Sequence, residues 1–137
     1  MAVIDMQTMR YINLLDRNSG VKTTKCFLYN NSIIFAVPKE MLSRAIGQQA
    51  SNIRNIQEQI GKKIRVIEES SGSESMQKFI SDIVSPVSFK SVEVKDRIII
   101  LTAGSQSKAA LIGRNRRRQE ELQKIVKDTY GMDLRIL

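Results

Sequence analysis

The residues best suited to chemistry form two glycine-centred junctions, each between a short and a long helical pattern. The first junction reads Ile46-Gly47-Gln48-Gln49-Ala50-Ser51-Asn52-Ile53. A helix that ends at glycine and is followed at once by another helix leaves backbone N–H groups exposed at the start of the second helix. Because no bulky side chain stands at Gly47, a phosphate group can approach those donors. The spacing therefore predicts an anion-binding loop.

The second junction begins at Ile112-Gly113 and is rich in arginine, with Arg114, Arg116, Arg117 and Arg118 close together. Cations at a helix N-terminus oppose the helix dipole, each by about 0.3–1 kcal/mol at low salt. A helix start with this unfavourable cluster indicates that an anion binds there, and a nucleic-acid phosphate is the expected one. One such glycine alone would be read as a simple helix end. Its recurrence favours a phosphate-facing loop.

Composition excludes most catalytic and metal chemistry. The 137 residues include no His and one Cys, so a histidine-activated nucleophile, a His-containing zinc site and an intramolecular disulfide are all excluded. Lys and Arg number 22 against 14 Asp and Glu, and the net charge of +8 indicates a polyanionic partner. Neither glycine-rich nucleotide-binding motif is present. We expect no enzyme, no catalytic residue, no cofactor, no metal and no small-molecule substrate.

The elements that position the two junctions repeat along the chain. Ile33–Val37 followed by Gly47 recurs as Ile99–Ala103 followed by Gly113, an offset of 66 residues. In the first copy the patterns predict a helix over 8–16, strands over 25–29 and 32–37, helices over 39–46 and 51–60, and a strand over 63–67. In the second they predict a helix over 76–84, a hairpin over 91–101 turning near Lys95-Asp96, helices over 107–112 and up to Gly131, and a strand over 132–137. Each copy is thus α-β-β-α-α-β, an α+β unit with a three-stranded mixed sheet backed by helices.

A Ser-rich polar stretch over 68–75 separates the copies, and we expect domains over 1–70 and 71–137. The first holds 10 basic and 6 acidic residues and the second 12 and 8, so each carries +4. The basic charge therefore belongs to both folded units. No signal-peptide pattern and no apolar run of membrane-spanning length is present. We expect a soluble, cytoplasmic chain with no membrane partner.

The pattern I-G-x-x-A-x-x-I-x-x-I from Ile46 to Ile56 resembles the KH RNA-binding domain, whose G-x-x-G loop clamps about four nucleotides of single-stranded backbone. The element order is similar to the type II form, and two tandem copies in so small a chain resemble the archaeal NusA-like family. This resemblance implies single-stranded RNA binding in transcription elongation, pausing or termination, with RNA polymerase as a further partner. The implied RNA-binding residues are Gly47, Gln48, Gln49, Ala50, Ile53 and Arg54 in the first copy, and Gly113, Arg114, Asn115, Arg116 and Arg117 in the second.

Both loops depart from the family motif at its fourth position, where Ala50 and Arg116 replace glycine. Ala50 is a mild change unless the backbone there needs a positive φ. Arg116 either blocks close approach or supplies a charge-assisted phosphate contact in its place. Gln119 stands where the first copy has Ile53, which makes the second site more electrostatic. The alternative function is an adaptor with degenerate loops that binds RNA polymerase or ribosomal components by protein contacts, and DNA binding is a weaker third.

Overall fold

The computed structural model describes residues 6–70, 72 and 75–137, and contacts divide them into two units, 6–69 and 70–137. The first unit contains α1 (Met6–Ser19), β1 (Lys25–Tyr29), β2 (Ser32–Val37), α2 (Leu42–Ile46), α3 (Ser51–Ile60) and β3 (Lys63–Glu68). The second contains α4 (Met76–Val84), β4 (Ser91–Lys95), β5 (Ile98–Thr102), α5 (Ser105–Ile112), α6 (Arg117–Tyr130) and β6 (Asp133–Ile136). The predicted fold class, two α-β-β-α-α-β units, is confirmed.

The sheet of the first unit is mixed and has the order β1-β2-β3. Strands β1 and β2 are antiparallel and are joined by Asn30 and Asn31, which both have a positive φ. Two left-handed residues match the twist of a tight hairpin, which explains the asparagine pair. Strand β3 returns parallel to β2 and places Ile64 opposite Ile33.

The hydrophobic core of the first unit joins this sheet to the helices. Phe35 of β2, Leu15 of α1 and Ile56 of α3 are fully buried in it. Ile53 and Ile60, which the periodicity predicts to point inward, are only partly buried and pack against this core. Helix α3 therefore leaves one isoleucine, Ile53, partly accessible beside the first junction.

The second unit repeats the sheet with the order β4-β5-β6, antiparallel and then parallel. Its hairpin turns at Asp96 and Arg97, whose φ angles are 53° and 62°, and not at Lys95-Asp96 as predicted. The turn lies one residue later because Lys95 still pairs with Ile98 across the two strands. Ile99 and Leu101 are fully buried on the central strand.

Three helices are longer than or shifted from the predicted ranges. Helix α1 runs from Met6 to Ser19, beyond the predicted 8–16, and the Gly20 N–H closes its last turn on the Asp16 carbonyl. Helix α5 begins at Ser105, two residues before the predicted start, because the Lys108 N–H donates to the Gly104 carbonyl at 2.7 Å. Helix α2 is preceded by a short 3₁₀ turn over Lys39–Met41. Within the described residues, no helix is long and apolar enough to cross a bilayer.

A small polar cluster ties the start of the second unit to the end of α6. The Ser70 hydroxyl lies 2.6 Å from the Tyr130 hydroxyl and 3.0 Å from the Ser75 hydroxyl. The Tyr130 ring also meets Phe79 edge to face, with ring centroids 6.0 Å apart. Burial raises the pKa of the Tyr130 phenol, and the hydrogen bond with Ser70 opposes that shift.

Candidate nucleic-acid interface

The first junction is a compact turn between α2 and α3. Helix α2 ends at Gly47, whose φ and ψ are 82° and 168°. The Ala50 N–H then donates to the Gly47 carbonyl at 3.1 Å, and Gln49 and Ala50 both adopt left-handed conformations with φ of 55° and 59°. Only glycine enters the conformation of Gly47 readily, which explains why the helix ends at this residue.

A side chain from α3 closes this turn. The Asn52 amide Nδ2 donates to the Arg44 carbonyl oxygen at 3.0 Å and so satisfies one of the free carbonyls at the end of α2. A Cβ atom at Gly47 would lie 2.8 Å from that same nitrogen and 2.9 Å from the Ser51 hydroxyl. Gly47 is therefore required by its conformation and by the close approach of Asn52.

The second junction has the same backbone geometry. Gly113 has φ and ψ of 75° and 172°, Asn115 and Arg116 have φ of 56° and 60°, and the Arg116 N–H donates to the Gly113 carbonyl at 3.2 Å. A Cβ atom at Gly113 would lie 2.6 Å from Cγ of Arg118. The stem of Arg118 therefore covers Gly113 as Asn52 covers Gly47.

Four residues other than glycine hold left-handed conformations in the two loops: Gln49, Ala50, Asn115 and Arg116. A non-glycine residue in this region costs about 1–2 kcal/mol relative to its ordinary conformation. The condition that would make Ala50 a costly replacement, a positive φ, is therefore met. Strain of this kind is concentrated at binding and catalytic sites, where the surrounding structure maintains it.

The structure brings the predicted residues of the first loop onto one short stretch of surface. Gln48, Gln49 and Arg54 are exposed, while Gly47, Ala50 and Ile53 are partly covered. Within the described part of the chain no side chain caps the start of α3, so its first N–H groups keep the positive end of the helix dipole open to an anion.

In the second loop the predicted RNA-binding residues after Gly113 are all accessible. Arg114, Asn115, Arg116 and Arg117 are exposed, and the start of α6 has no side-chain cap among the described residues. Arg118 differs from them, because its guanidinium pairs with Glu121 at 2.9 Å and both side chains are mostly buried. Three of the four clustered arginines are thus directed to solvent, and the fourth stabilises the loop.

Sequence reasoning missed Asn52 and Arg118 as structural residues of the junctions. The 66-residue offset aligns them with each other, so the repeat itself held the signal. The sequence also did not predict a structural contact of the Arg44 guanidinium, whose Nε donates to the Ser19 carbonyl at 3.3 Å at the end of α1. Among the described residues, no group of three or more His, Cys, Asp and Glu side chains is arranged to hold a metal ion.

Comparison with known proteins finds a similarity to the KH domain. The family model of the KH domain matches residues 32–81, a range that contains the first junction. A crystal structure of the protein APE1850 superposes with a TM-score of 0.71 at 25% sequence identity, covering 98% of this chain and 100% of that one.

Two archaeal relatives carry the name "Probable transcription termination protein NusA". The relative from Methanococcus vannielii is 26% identical over 114 residues, which cover 80% of this chain and 64% of that protein. The relative from Methanocaldococcus jannaschii is 27% identical over 120 residues, which cover 85% of this chain and 64% of that protein. The aligned part thus spans slightly under two thirds of each relative. Taken with the two repeated units, these matches make the chain similar to the NusA-like KH proteins.

Proposed function

We propose that this chain is a non-enzymatic RNA-binding factor of transcription elongation or termination that holds single-stranded transcript through both junctions. Residues 1–70 and 71–137 would be its two KH domains. The observation that carries the proposal is the strained, glycine-ended turn built twice, with a pair of left-handed residues each time. The KH match and the names of the two relatives support RNA and transcription as the setting.

The first junction is proposed to act as a backbone clamp. Its loop carries no charge from Gly47 to Ala50, so phosphate would be held by backbone N–H groups and the dipole of α3. Arg54, exposed on the next turn of α3, adds one cation, and the partly buried Ile53 offers an apolar edge for a base. This arrangement binds any single strand and reads little of its sequence.

The second junction is proposed to act as an electrostatic site. Arg114, Arg116 and Arg117 are exposed around the start of α6, and their charges add to the helix dipole instead of being neutralised within the described residues. A transcript phosphate that binds there relieves the repulsion among the three guanidinium groups and releases counterions. Asn115 supplies a neutral donor and acceptor in the same loop.

The test is a binding titration of the full chain against single-stranded RNA, double-stranded RNA and DNA at two salt concentrations. The variant Gln48→Asp/Gln49→Asp places two carboxylates where phosphate is proposed to lie, and we expect at least about a tenfold loss for single-stranded RNA. The control Gln106→Asp/Gln123→Asp makes the same charge change at exposed residues outside both junctions.

Three results would contradict the proposal. Equal losses in the junction variant and its control would mean that only net charge is sensed. A chain that binds no RNA but co-purifies with RNA polymerase or ribosomal components would favour the adaptor, whose loops no longer hold nucleic acid. Preference for duplex DNA over single-stranded RNA would favour the third function considered.

A further inference from the structure

Helix α1 presents to solvent a face that its core residues do not use. Tyr11, Leu14 and Leu15 are buried, whereas Met6 and Met9 are 90% and 52% exposed. Exposed polar residues continue the same face at Arg10, Asn13 and Arg17. The positions 6, 9, 10, 13 and 17 follow the helical period, so these side chains form one continuous stripe along the helix.

This stripe borders a groove of about 450 Å³ in the first unit. Leu14 of α1 and Gln59 of α3 also line the groove. None of the described residues that line the groove is acidic. Arg10 and Arg17 form no ion pair within the described part of the chain. The groove therefore combines accessible methionines with two guanidinium groups whose charge is not balanced locally.

The corresponding helix of the other repeat shows that this face is not a general property of the fold. Helix α4 buries every large apolar residue of its stripe: Met76, Phe79, Ile80, Ile83 and Val84. Helix α1 instead keeps two methionines at the surface beside cations. Exposed methionine is typical of docking surfaces, because its flexible thioether side chain adapts to an apolar partner.

We propose that the α1–α3 groove binds an acidic amphipathic helix of a protein partner. Arg10 and Arg17 are seven residues apart, about 10 Å along the helix axis, which is the spacing of carboxylates two turns apart on a partner helix. Met6 and Met9 contact the apolar side chains of that partner. This surface is separate from the RNA-binding function proposed above, since it includes neither junction.

The chemistry of the groove favours a protein partner over RNA. The stripe holds no aromatic ring on which a base could stack, and its two cations are separated by neutral residues. The exposed arginines of the second junction, by contrast, stand within four consecutive positions. Two separated cations around an apolar centre match a helix with one apolar and one acidic face.

The experiment uses the full chain and a fluorescent synthetic helix with leucines on one face and glutamates seven residues apart beside it. A second peptide carries lysine in place of glutamate. We expect the glutamate peptide to bind and the lysine peptide not to bind, by fluorescence anisotropy. Arg10→Glu/Arg17→Glu should lower the affinity for the glutamate peptide by at least about tenfold and create affinity for the lysine peptide.

A matched control and a second variant separate docking from general charge and from misfolding. Lys90→Glu/Lys95→Glu makes the same change in net charge on exposed residues of the second unit and should leave peptide binding unchanged. Met9→Ser should lower the affinity for the glutamate peptide, while the far-UV circular dichroism and the melting temperature stay as in the parent chain. The proposal would be overturned if the glutamate peptide did not bind, or if the control lost as much peptide affinity as the groove variant. It would also be overturned if the groove variant lost affinity for single-stranded RNA but kept its affinity for the peptide.

Discussion

The two glycine-centred junctions share a backbone and differ in nearly every side chain. Gly47 and Gly113 have the same conformation, and each is followed by a left-handed pair and a residue that covers the glycine. The covering residue is an amide at Asn52 and a guanidinium stem at Arg118. The residues between the glycine and the covering residue are uncharged in the first junction. In the second junction they include three exposed arginines.

This difference teaches that the turn is defined by backbone geometry, and that its exposed side chains can differ without changing the turn. Both glycines are required by conformation, so neither loop can lose its glycine cheaply. The exposed positions carry no such requirement. One repeat therefore carries an uncharged loop, while the other carries cations around the same turn.

The largest expected effect comes from removing the charge of the second junction. Arg114→Gln/Arg116→Gln/Arg117→Gln should lower single-stranded RNA affinity by about a hundredfold at low salt, because the three proposed phosphate contacts would be lost. The slope of log affinity against log salt should fall by about 2, at roughly 0.7 per phosphate contact. Arg54→Gln in the first unit should lower affinity only about threefold. Equal effects of the two variants would contradict the proposed division between clamp and electrostatic site.

The next effect concerns the glycines, measured as the free energy of unfolding in urea. Gly47→Ala and Gly113→Ala should each destabilise the chain by about 2–3 kcal/mol, since both conformations are essentially confined to glycine. Gly113→Ala should cost more, because its Cβ would lie 3.1 Å from the Arg118 backbone nitrogen, whereas Gly47 faces side-chain atoms of Asn52 and Ser51.

Gly104→Ala is the control, because Gly104 has φ of −67° and no atom within 4 Å of a Cβ placed there. It should be close to neutral, because the lower entropy of the unfolded chain is offset by the weaker helix capping of alanine. A destabilisation at Gly47 no larger than at Gly104 would mean that the junction relaxes without strain.

A smaller and opposite effect is expected at the fourth loop position. Ala50→Gly and Arg116→Gly should each stabilise the chain by about 0.5–1 kcal/mol, since glycine relieves the left-handed strain but loses more entropy on folding. The two should differ in RNA binding: Ala50→Gly retains affinity, and Arg116→Gly loses it with the charge. Denaturation and anisotropy on the same samples would show this, and a loss of RNA affinity in Ala50→Gly would contradict the clamp.

An effect of similar size distinguishes the C-terminal ends of the two long helices. Helix α3 ends at Ile60, whereas α6 ends at Tyr130, whose hydroxyl is hydrogen-bonded to the Ser70 hydroxyl. Tyr130→Phe should cost about 1 kcal/mol at neutral pH through the lost hydrogen bond. Because the folded pKa of Tyr130 is raised above 10.0, the parent chain should also lose stability as the pH rises through 10 and beyond, and the variant should not. Ser70→Ala removes the same hydrogen bond but should keep the loss of stability at alkaline pH.

Most of the fold could be predicted from the periodicity of apolar residues and from the turn residues between elements. Strands β1 and β2, helix α3 and helix α4 begin and end where the apolar pattern and the flanking turn residues place them. The second hairpin was predicted one residue early, because Asp96-Arg97 lacks the asparagine signal that marks Asn30-Asn31. Helix α1 was predicted too short, since its exposed methionines and arginines contribute little to an inward-facing stripe.

The candidate site was predictable in its position but not in its detailed geometry. The repeated glycines located both junctions, and the arginine cluster indicated which one is more strongly charged. The left-handed backbone of Ala50 and Arg116 could not be read from residue type, because alanine and arginine seldom adopt it. It accompanies the hydrogen bonds from Ala50 to Gly47 and from Arg116 to Gly113, which close the turn between the two helices of each junction.

The sequence by itself determined the repeat, the order of its elements, the place of both glycines and the excess of positive charge on each half. These properties follow from local periodicity and composition, which act before any distant residues meet. Only the tertiary structure decided that Asn52 and Arg118 cover the glycines, that Arg118 pairs with Glu121 while its neighbours stay exposed, and that Met6 and Met9 remain at the surface. Those outcomes depend on which faces the packed helices leave free, and packing is a property of the whole unit rather than of any short segment.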